Sequence, residues 1–276
     1  MCETSTPTAD TLPRLSRSRG ATRLLAILGL TSIMALPVLA LSALGSHHRL
    51  TALRWYYRMM RAVLGLRLRV EGRQSDARPT LYASNHVSYL DVLVLGSVLN
   101  ASFVSKSDIR SWPLVGFFAR KVGTSFIERD PRFARQHVQH LRERLQRRDS
   151  LVLFPEGTAT DGCDVIQFKS SLFAALPGES ADTIPVQPVS VVYCGDHLGG
   201  PLSYRYRLRY AWTGEMPDEE FGQHAWDMLC SPGLSINVVL HPPLDAAEAT
   251  DRKLIAAECE ATIRAPVVAA VGARGQ

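Results

Sequence analysis

The stretch NHVSYLD, Asn85 to Asp91, sets a histidine five residues before an aspartate, directly after the apolar run TLYAS. An imidazole beside a carboxylate can work as a general base. The carboxylate fixes the tautomer and stabilises the imidazolium, while the far nitrogen takes a proton. Such a pair is also common as an ordinary surface or core contact, so its surroundings decide. A strand, then Asn85-His86, then an apolar helix places His86 at a strand-to-helix turn, where side chains open towards a ligand at the carboxyl end of a strand. With the helix starting near Ser88, Asp91 lies one turn in and can reach back to the ring. This is the second half of a Ser-His-Asp triad without its serine. The nucleophile can then come from a substrate, as a hydroxyl that attacks a thioester.

Two further stretches could hold a ligand. LVLFPEGTATDG is an apolar strand that breaks at Phe154-Pro155 into a turn with Glu156, Gly157 and Thr158. Its backbone N–H groups and hydroxyl suit an anionic head group, although a plain strand exit would read the same way. GTSFIERD ends another apolar strand with Arg129, a planar fork for phosphate or carboxylate, or the partner of Glu128 or Asp130. Nucleophile elbows, Walker loops, His-Glu-x-x-His and Gly-x-Gly-x-x-Gly are all missing. His137 and His140 share helical spacing but sit among arginines, which favours a solvated basic face over a metal site. The 5 cysteines contain no Cys-x-x-Cys, so neither a disulfide framework nor zinc is indicated, and reduced thiols are expected.

These residues need strands and helices to position them. Alternating apolar runs predict strands at 66–70, 80–83, 102–105, 124–127, 151–154, 186–193, 204–212 and 236–241. Helical patterns cover 89–99, 112–122, 133–146, 170–176, 220–229 and 247–263. That alternation predicts an α/β sandwich around a central, largely buried sheet. The expected division is a disordered basic N-terminus over 1–22, a membrane-associated helical segment over 23–65, and a catalytic domain over 66–270.

The segment from Leu24 to Leu44 carries no charge and follows Arg14, Arg17, Arg19 and Arg23. Its length matches the ~30 Å hydrocarbon core at 1.5 Å per residue, so an embedded helix is expected. A cleaved signal peptide competes, but the run exceeds a usual apolar signal core. Basic residues on both flanks leave orientation open and also fit a segment that dips in and returns. The following helix repeats Leu50, Leu53, Tyr57, Met60 and Leu64, which fits either an interfacial helix or one packed on the domain. Up to residue 150 the chain has 23 Lys and Arg against 10 Asp and Glu, and beyond it 8 against 16. A basic half beside an apolar stretch suits an anionic membrane surface. No recognisable nucleic-acid-binding motif accompanies it, so nucleic acid is not an expected partner.

Asn85-His86 with Asp91, GTSFIER ending in Arg129, FPEGT from Phe154 to Thr158, and IPVQPV from Ile184 to Val189 resemble, in order, the four motif blocks of the glycerolipid acyltransferases, the lysophosphatidic acid acyltransferase superfamily. The resemblance runs from about Val70 to Val192. SKSDIRSWPLVGFFA matches between the first two blocks, which adds Lys106 as a head-group candidate. The resemblance implies His86 as base, Asp91 as its partner, and Arg129, Glu156, Gly157 and Thr158 as the acceptor grip. The donor would be an acyl-CoA or acyl carrier protein thioester, the acceptor a lysolipid in the membrane, and no metal or cofactor is implied. It also implies a bacterial inner-membrane enzyme working from the cytoplasmic side.

One departure narrows the acceptor. Many phosphate-acceptor members carry Arg or Ser soon after Pro-Glu-Gly-Thr, whereas Ala159, Thr160, Asp161 and Gly162 follow here. With FKSSLFAA, AWTGEM and VVLHPPL, the pattern is more similar to the bacterial branch that acylates lyso-ornithine lipid. Lysophosphatidic acid is the alternative acceptor.

Overall fold

A computed structural model describes residues 15–43, 46–106, 125–127, 132, 134–160, 162–176, 184–194, 218–244 and 251–272. The expected strand over 204–212 and helix over 112–122 lie outside those residues, as does Arg129.

The sheet grows from short apolar runs broken by Gly, Pro and polar residues. Its strands are β1 (Leu66–Gly72), β2 (Leu81–Ser84), β3 (Ser102–Lys106), β4 (Ser125–Ile127), β5 (Leu151–Leu153), β6 (Val186–Cys194) and β7 (Leu234–Leu240). They lie in the order β1-β7-β6-β2-β5-β3-β4. Among the described strands only β6 and β7 pair antiparallel, so the sheet is mixed, with β1 and β7 running against the rest. Alternate residues feed two cores. Tyr82, Val152, Val189 and Val191 face one, while Leu81, Ala83, Leu151, Leu153 and Val186 face the other. Burial on both faces explains why these strands read as continuous apolar runs.

The first core is covered by α3 (Leu90–Val98) and by α5 (Asp218–Cys230), and the second by α4 (Ala134–Gln146) and α6 (Arg252–Gly272). The 170–176 helix is a six-residue 3₁₀ turn, Ser170–Ala175, flanked by extended backbone at Lys169 and Leu176. The last helix runs past the expected end at Ile263 and through Pro266. Its buried stripe Ile255, Cys259, Ile263 and Val267 continues one turn further, which offsets the lost hydrogen bond.

Two helices precede the sheet, α1 (Arg17–Ala43) and α2 (Ser46–Leu64). Arg17–Pro37 is long and apolar enough to cross a membrane. Helix α1 starts at Arg17, inside the segment expected to be disordered, because its first turns dock on α5. Arg19 Nη1 donates to Cys230 O at 3.2 Å, and Arg23 Nη1 donates to Leu229 O and Ser231 O at 3.1 and 2.6 Å. These bonds satisfy carbonyls that a helix C-terminus leaves unpaired. Beyond the dock, Leu25, Ile33 and Leu36 stay exposed. Helix α2 returns to the domain with Leu53, Met60 and Leu64 buried and Trp55 and Met59 outward. It lies on α3 where Gly96 leaves room for the Tyr57 ring, and Arg58 Nε donates to Ser97 O at 3.1 Å. Thus α2 packs on the domain and keeps an exposed aromatic and methionine face.

Candidate active site

Strands β2 and β5 are adjacent and parallel, with Ala83 opposite Leu153, so their carboxyl ends emerge side by side. Asn85-His86 leaves one strand and Phe154-Pro155-Glu156 the other, at the sheet edge where open α/β folds place ligands. Strands β3 and β4 run the same way, with Lys106 opposite Ile127. Lys106 therefore ends its strand at the same edge, and β4 stops two residues before Arg129.

The His86–Asp91 pair is formed. His86 Nδ1 lies 2.8 Å from Asp91 Oδ2. The same oxygen accepts the Val87 and Ser88 N–H groups at 2.8 and 2.9 Å, and Oδ1 accepts the Tyr193 hydroxyl at 2.6 Å. Asp91 is fully buried, and these donors supply the compensation a buried carboxylate needs. An ionised carboxylate only accepts, so the proton sits on Nδ1 and Nε2 keeps its lone pair. The His86 side chain is 23% exposed. Its ring stacks on Phe154 with centroids 4.2 Å apart, and Phe154 in turn faces Phe103 at 6.3 Å. The imidazole is thus held by a carboxylate at one edge and an aromatic face.

The turn that carries His86 is clamped on both sides. Asn85 Nδ2 donates to Val191 O at 2.9 Å, and Asn85 Oδ1 accepts Val191 N–H at 2.8 Å, so a side chain continues the strand pairing with β6. His86 N–H donates to Glu156 Oε1 at 2.9 Å. His86 O accepts Thr160 N–H at 2.8 Å and the Thr160 hydroxyl at 3.2 Å. Glu156 is therefore turned inward, 1% exposed, and shapes the His86 turn. Burial pushes its carboxyl up to about 8, with the Asp91 charge adding to the rise and the His86 N–H opposing it.

Gly157 closes the 154–157 turn, its N–H bonding Phe154 O at 3.0 Å, and adopts φ +72°. A Cβ there would stand 2.6 Å from Lys169 Nζ, so the lysine, fixed by its N–H on Pro155 O at 3.0 Å, arches over the Gly157 turn. Thr158 follows, partly exposed. Lys169, Thr160 and Tyr193 were not singled out as site residues by the sequence reading. Lys169 alone left a local signal, as a cation shortly after FPEGT. On α5, His224 Nδ1 meets the Tyr89 hydroxyl at 3.1 Å, and burial lowers its pKa to about 4, so it is neutral. No group of three or more metal-ligating side chains occurs among the described residues.

Known proteins match this arrangement. The profile of the Acyltransferase family covers residues 67–192, which holds every element of the site so far described except Tyr193 and α5. The lyso-ornithine lipid O-acyltransferase of Rhodobacter capsulatus is 36% identical over 262 residues, which span 94% of this chain and 91% of its own. The lyso-ornithine lipid O-acyltransferase of Brucella abortus is 34% identical over 76% of this chain and 79% of its own. The 1-acyl-sn-glycerol-3-phosphate acyltransferase of Neisseria gonorrhoeae is 32% identical over 75% of this chain and 76% of its own. The crystal structure of the 1-acyl-sn-glycerophosphate acyltransferase of Thermotoga maritima superposes with a TM-score of 0.61 at 22% identity, over 90% of this chain and 96% of that one, a likeness of fold. The chain belongs to the acyltransferase family.

Proposed function

We propose that this acyltransferase moves a fatty acyl chain from a thioester, acyl carrier protein or coenzyme A, to the free hydroxyl of lyso-ornithine lipid. The observation that carries the reading is the His86–Asp91 pair at 2.8 Å, with Nε2 left as the open ring nitrogen. Nε2 takes the proton of the lipid hydroxyl as its oxygen attacks the thioester carbonyl. The tetrahedral intermediate then collapses, the C–S bond breaks, and the sulfur leaves with the proton returned by the imidazolium. Asp91 holds the tautomer before the transfer and stabilises the cation during it. Written this way, the reaction uses no covalent acyl-enzyme, metal or redox cofactor.

The acceptor reading is supported by the relatives named for lyso-ornithine lipid and by Ala159, Thr160, Asp161 and Gly162 after Thr158, where many phosphate-acceptor members carry an Arg or Ser soon after that position. Arg129 and Lys106 are the cations assigned to the acceptor's carboxylate, and Gly157 and Thr158 the turn residues assigned to it. Lysophosphatidic acid is the second reading, favoured by the relative from Neisseria gonorrhoeae. Both ends of the α1–α2 hairpin return to the catalytic domain, which fits a hairpin that dips into one face of a bilayer, here assigned to the cytoplasmic face of the bacterial inner membrane.

The test is mass-resolved product formation by protein reconstituted in membranes. It is offered an acyl carrier protein thioester with lyso-ornithine lipid and lysophosphatidic acid in equal amounts. Ornithine lipid as the main product is expected. Phosphatidic acid as the sole product moves the enzyme to the second reading, and thiol release without any acceptor would make it a thioester hydrolase.

A further inference from the structure

We infer that Tyr193 is a positioning residue for the His86–Asp91 pair, an inference that rests on the proposed role of His86 as base. The two Asp91 oxygens have different tasks. Oδ2 takes three donors from one short turn, the His86 ring and the Val87 and Ser88 N–H groups, at 2.8 to 2.9 Å. Those bonds converge on a single atom and leave the second oxygen without a donor from the turn. The second oxygen fixes the plane, and its donor is the Tyr193 hydroxyl at 2.6 Å, brought from strand β6. Tyr193 is 4% exposed, and its strand is locked to the His86 turn through both Asn85–Val191 bonds, two residues away. The hydroxyl is thus held against Asp91 by the sheet itself.

A phenol is a neutral donor. It draws charge from the carboxylate without adding a cation that would compete with the imidazolium formed during turnover. Tyr193 touches no reacting atom; it sets how Asp91 presents its charge to His86 Nδ1. Among the described residues, Glu156 also bonds this turn through the His86 N–H, and His224 meets the hydroxyl of Tyr89 that follows it.

The experiment compares the full-length parent, Tyr193→Phe and His86→Ala in membranes, reading total acylated product from the two-acceptor mixture across pH. Tyr193→Phe is expected to lower kcat about tenfold, leave KM for donor and acceptors within twofold, and move the acid limb of the rate profile to higher pH, because a carboxylate relieved of a donor holds the imidazolium more tightly. Parental kcat, or a lowered kcat with an unmoved acid limb, overturns the inference. Loss of activity in His86→Ala beside parental behaviour of Tyr193→Phe overturns this inference alone, whereas an active, folded His86→Ala overturns the base reading and this one with it. If Tyr193→Phe does not fold, 3-fluorotyrosine at position 193 keeps the shape and donates more strongly. It is expected to move the acid limb to lower pH, and an unmoved limb overturns the inference.

Discussion

His86 donates its backbone N–H to Glu156 Oε1 across 2.9 Å, so the glutamate of the FPEGT turn holds the main chain of the histidine instead of facing solvent. Since burial raises that carboxyl to about 8, it is protonated over most of the neutral range. A neutral amide can replace it. Glu156→Gln is expected to keep turnover within about threefold of the parent at pH 7. Glu156→Ala, which leaves the His86 N–H buried without an acceptor, is expected to lose about tenfold or more in kcat. Steady-state assays on the two variants check this.

The same carboxyl makes stability depend on pH. Its folded value of about 8 stands above the ordinary 4.5, so between those values the folded chain keeps a proton that the unfolded chain has shed. The contribution is fully present below about pH 4.5 and is lost as pH rises through 8. Thermal melts should show the parent losing Tm relative to Glu156→Gln between pH 5 and 8.5. Parallel curves would place the ionised form in the fold.

Removing the His86 ring is the most direct test of the proposed chemistry. His86→Ala is expected to lower turnover by on the order of 10³-fold while far-UV circular dichroism and Tm stay near parental values. The ring is partly exposed and packs mainly on Phe154, so its loss costs little of the core.

Gly157 has two reasons to be glycine. Its φ of +72° is left-handed, and a Cβ would meet Lys169 Nζ at 2.6 Å. Gly157→Ala is expected to cost about 1–2 kcal/mol in folding from backbone strain. It also displaces the lysine, so a denaturant melt should show lowered stability and an acceptor titration a raised KM.

Arg23→Ala removes the bonds to Leu229 O and Ser231 O and leaves the end of α5 short of donors. A loss of about 1–3 kcal/mol is expected. Limited trypsin digestion should then cut within the first turns of α1 faster than in the parent.

The described strands were legible within one or two residues because buried runs such as LYAS, set between Thr80 and Asn85, are bounded by polar residues. The His86–Asp91 contact was legible because it is local, and a helix start fixes its reach. Contacts that span the chain left no such trace. Tyr193 lies more than a hundred positions from Asp91, and Arg23 more than two hundred from Leu229, so no periodicity pointed to either. Arg19 and Arg23 read as charges flanking an apolar segment, while their actual partners are carbonyls of a distant helix. The bond from the His86 N–H to Glu156 was not legible either, because an acidic residue in a turn usually faces water and the amide that draws this one in comes from the neighbouring strand end.

The hairpin of α1 and α2 is fastened at two points, α1 to the end of α5 through Arg19 and Arg23, and α2 to α3 through Tyr57 and Arg58. A single stalk lets a domain swivel, whereas two separated fixings make a bracket that resists both tilt and rotation. Helix α3 also carries Asp91, and α5 carries the histidine that meets Tyr89, so the bracket bolts onto the helices that line the His86 turn. The orientation of the exposed Leu25, Ile33 and Leu36 relative to the His86 turn is therefore set by the fold rather than by the swing of a free stalk.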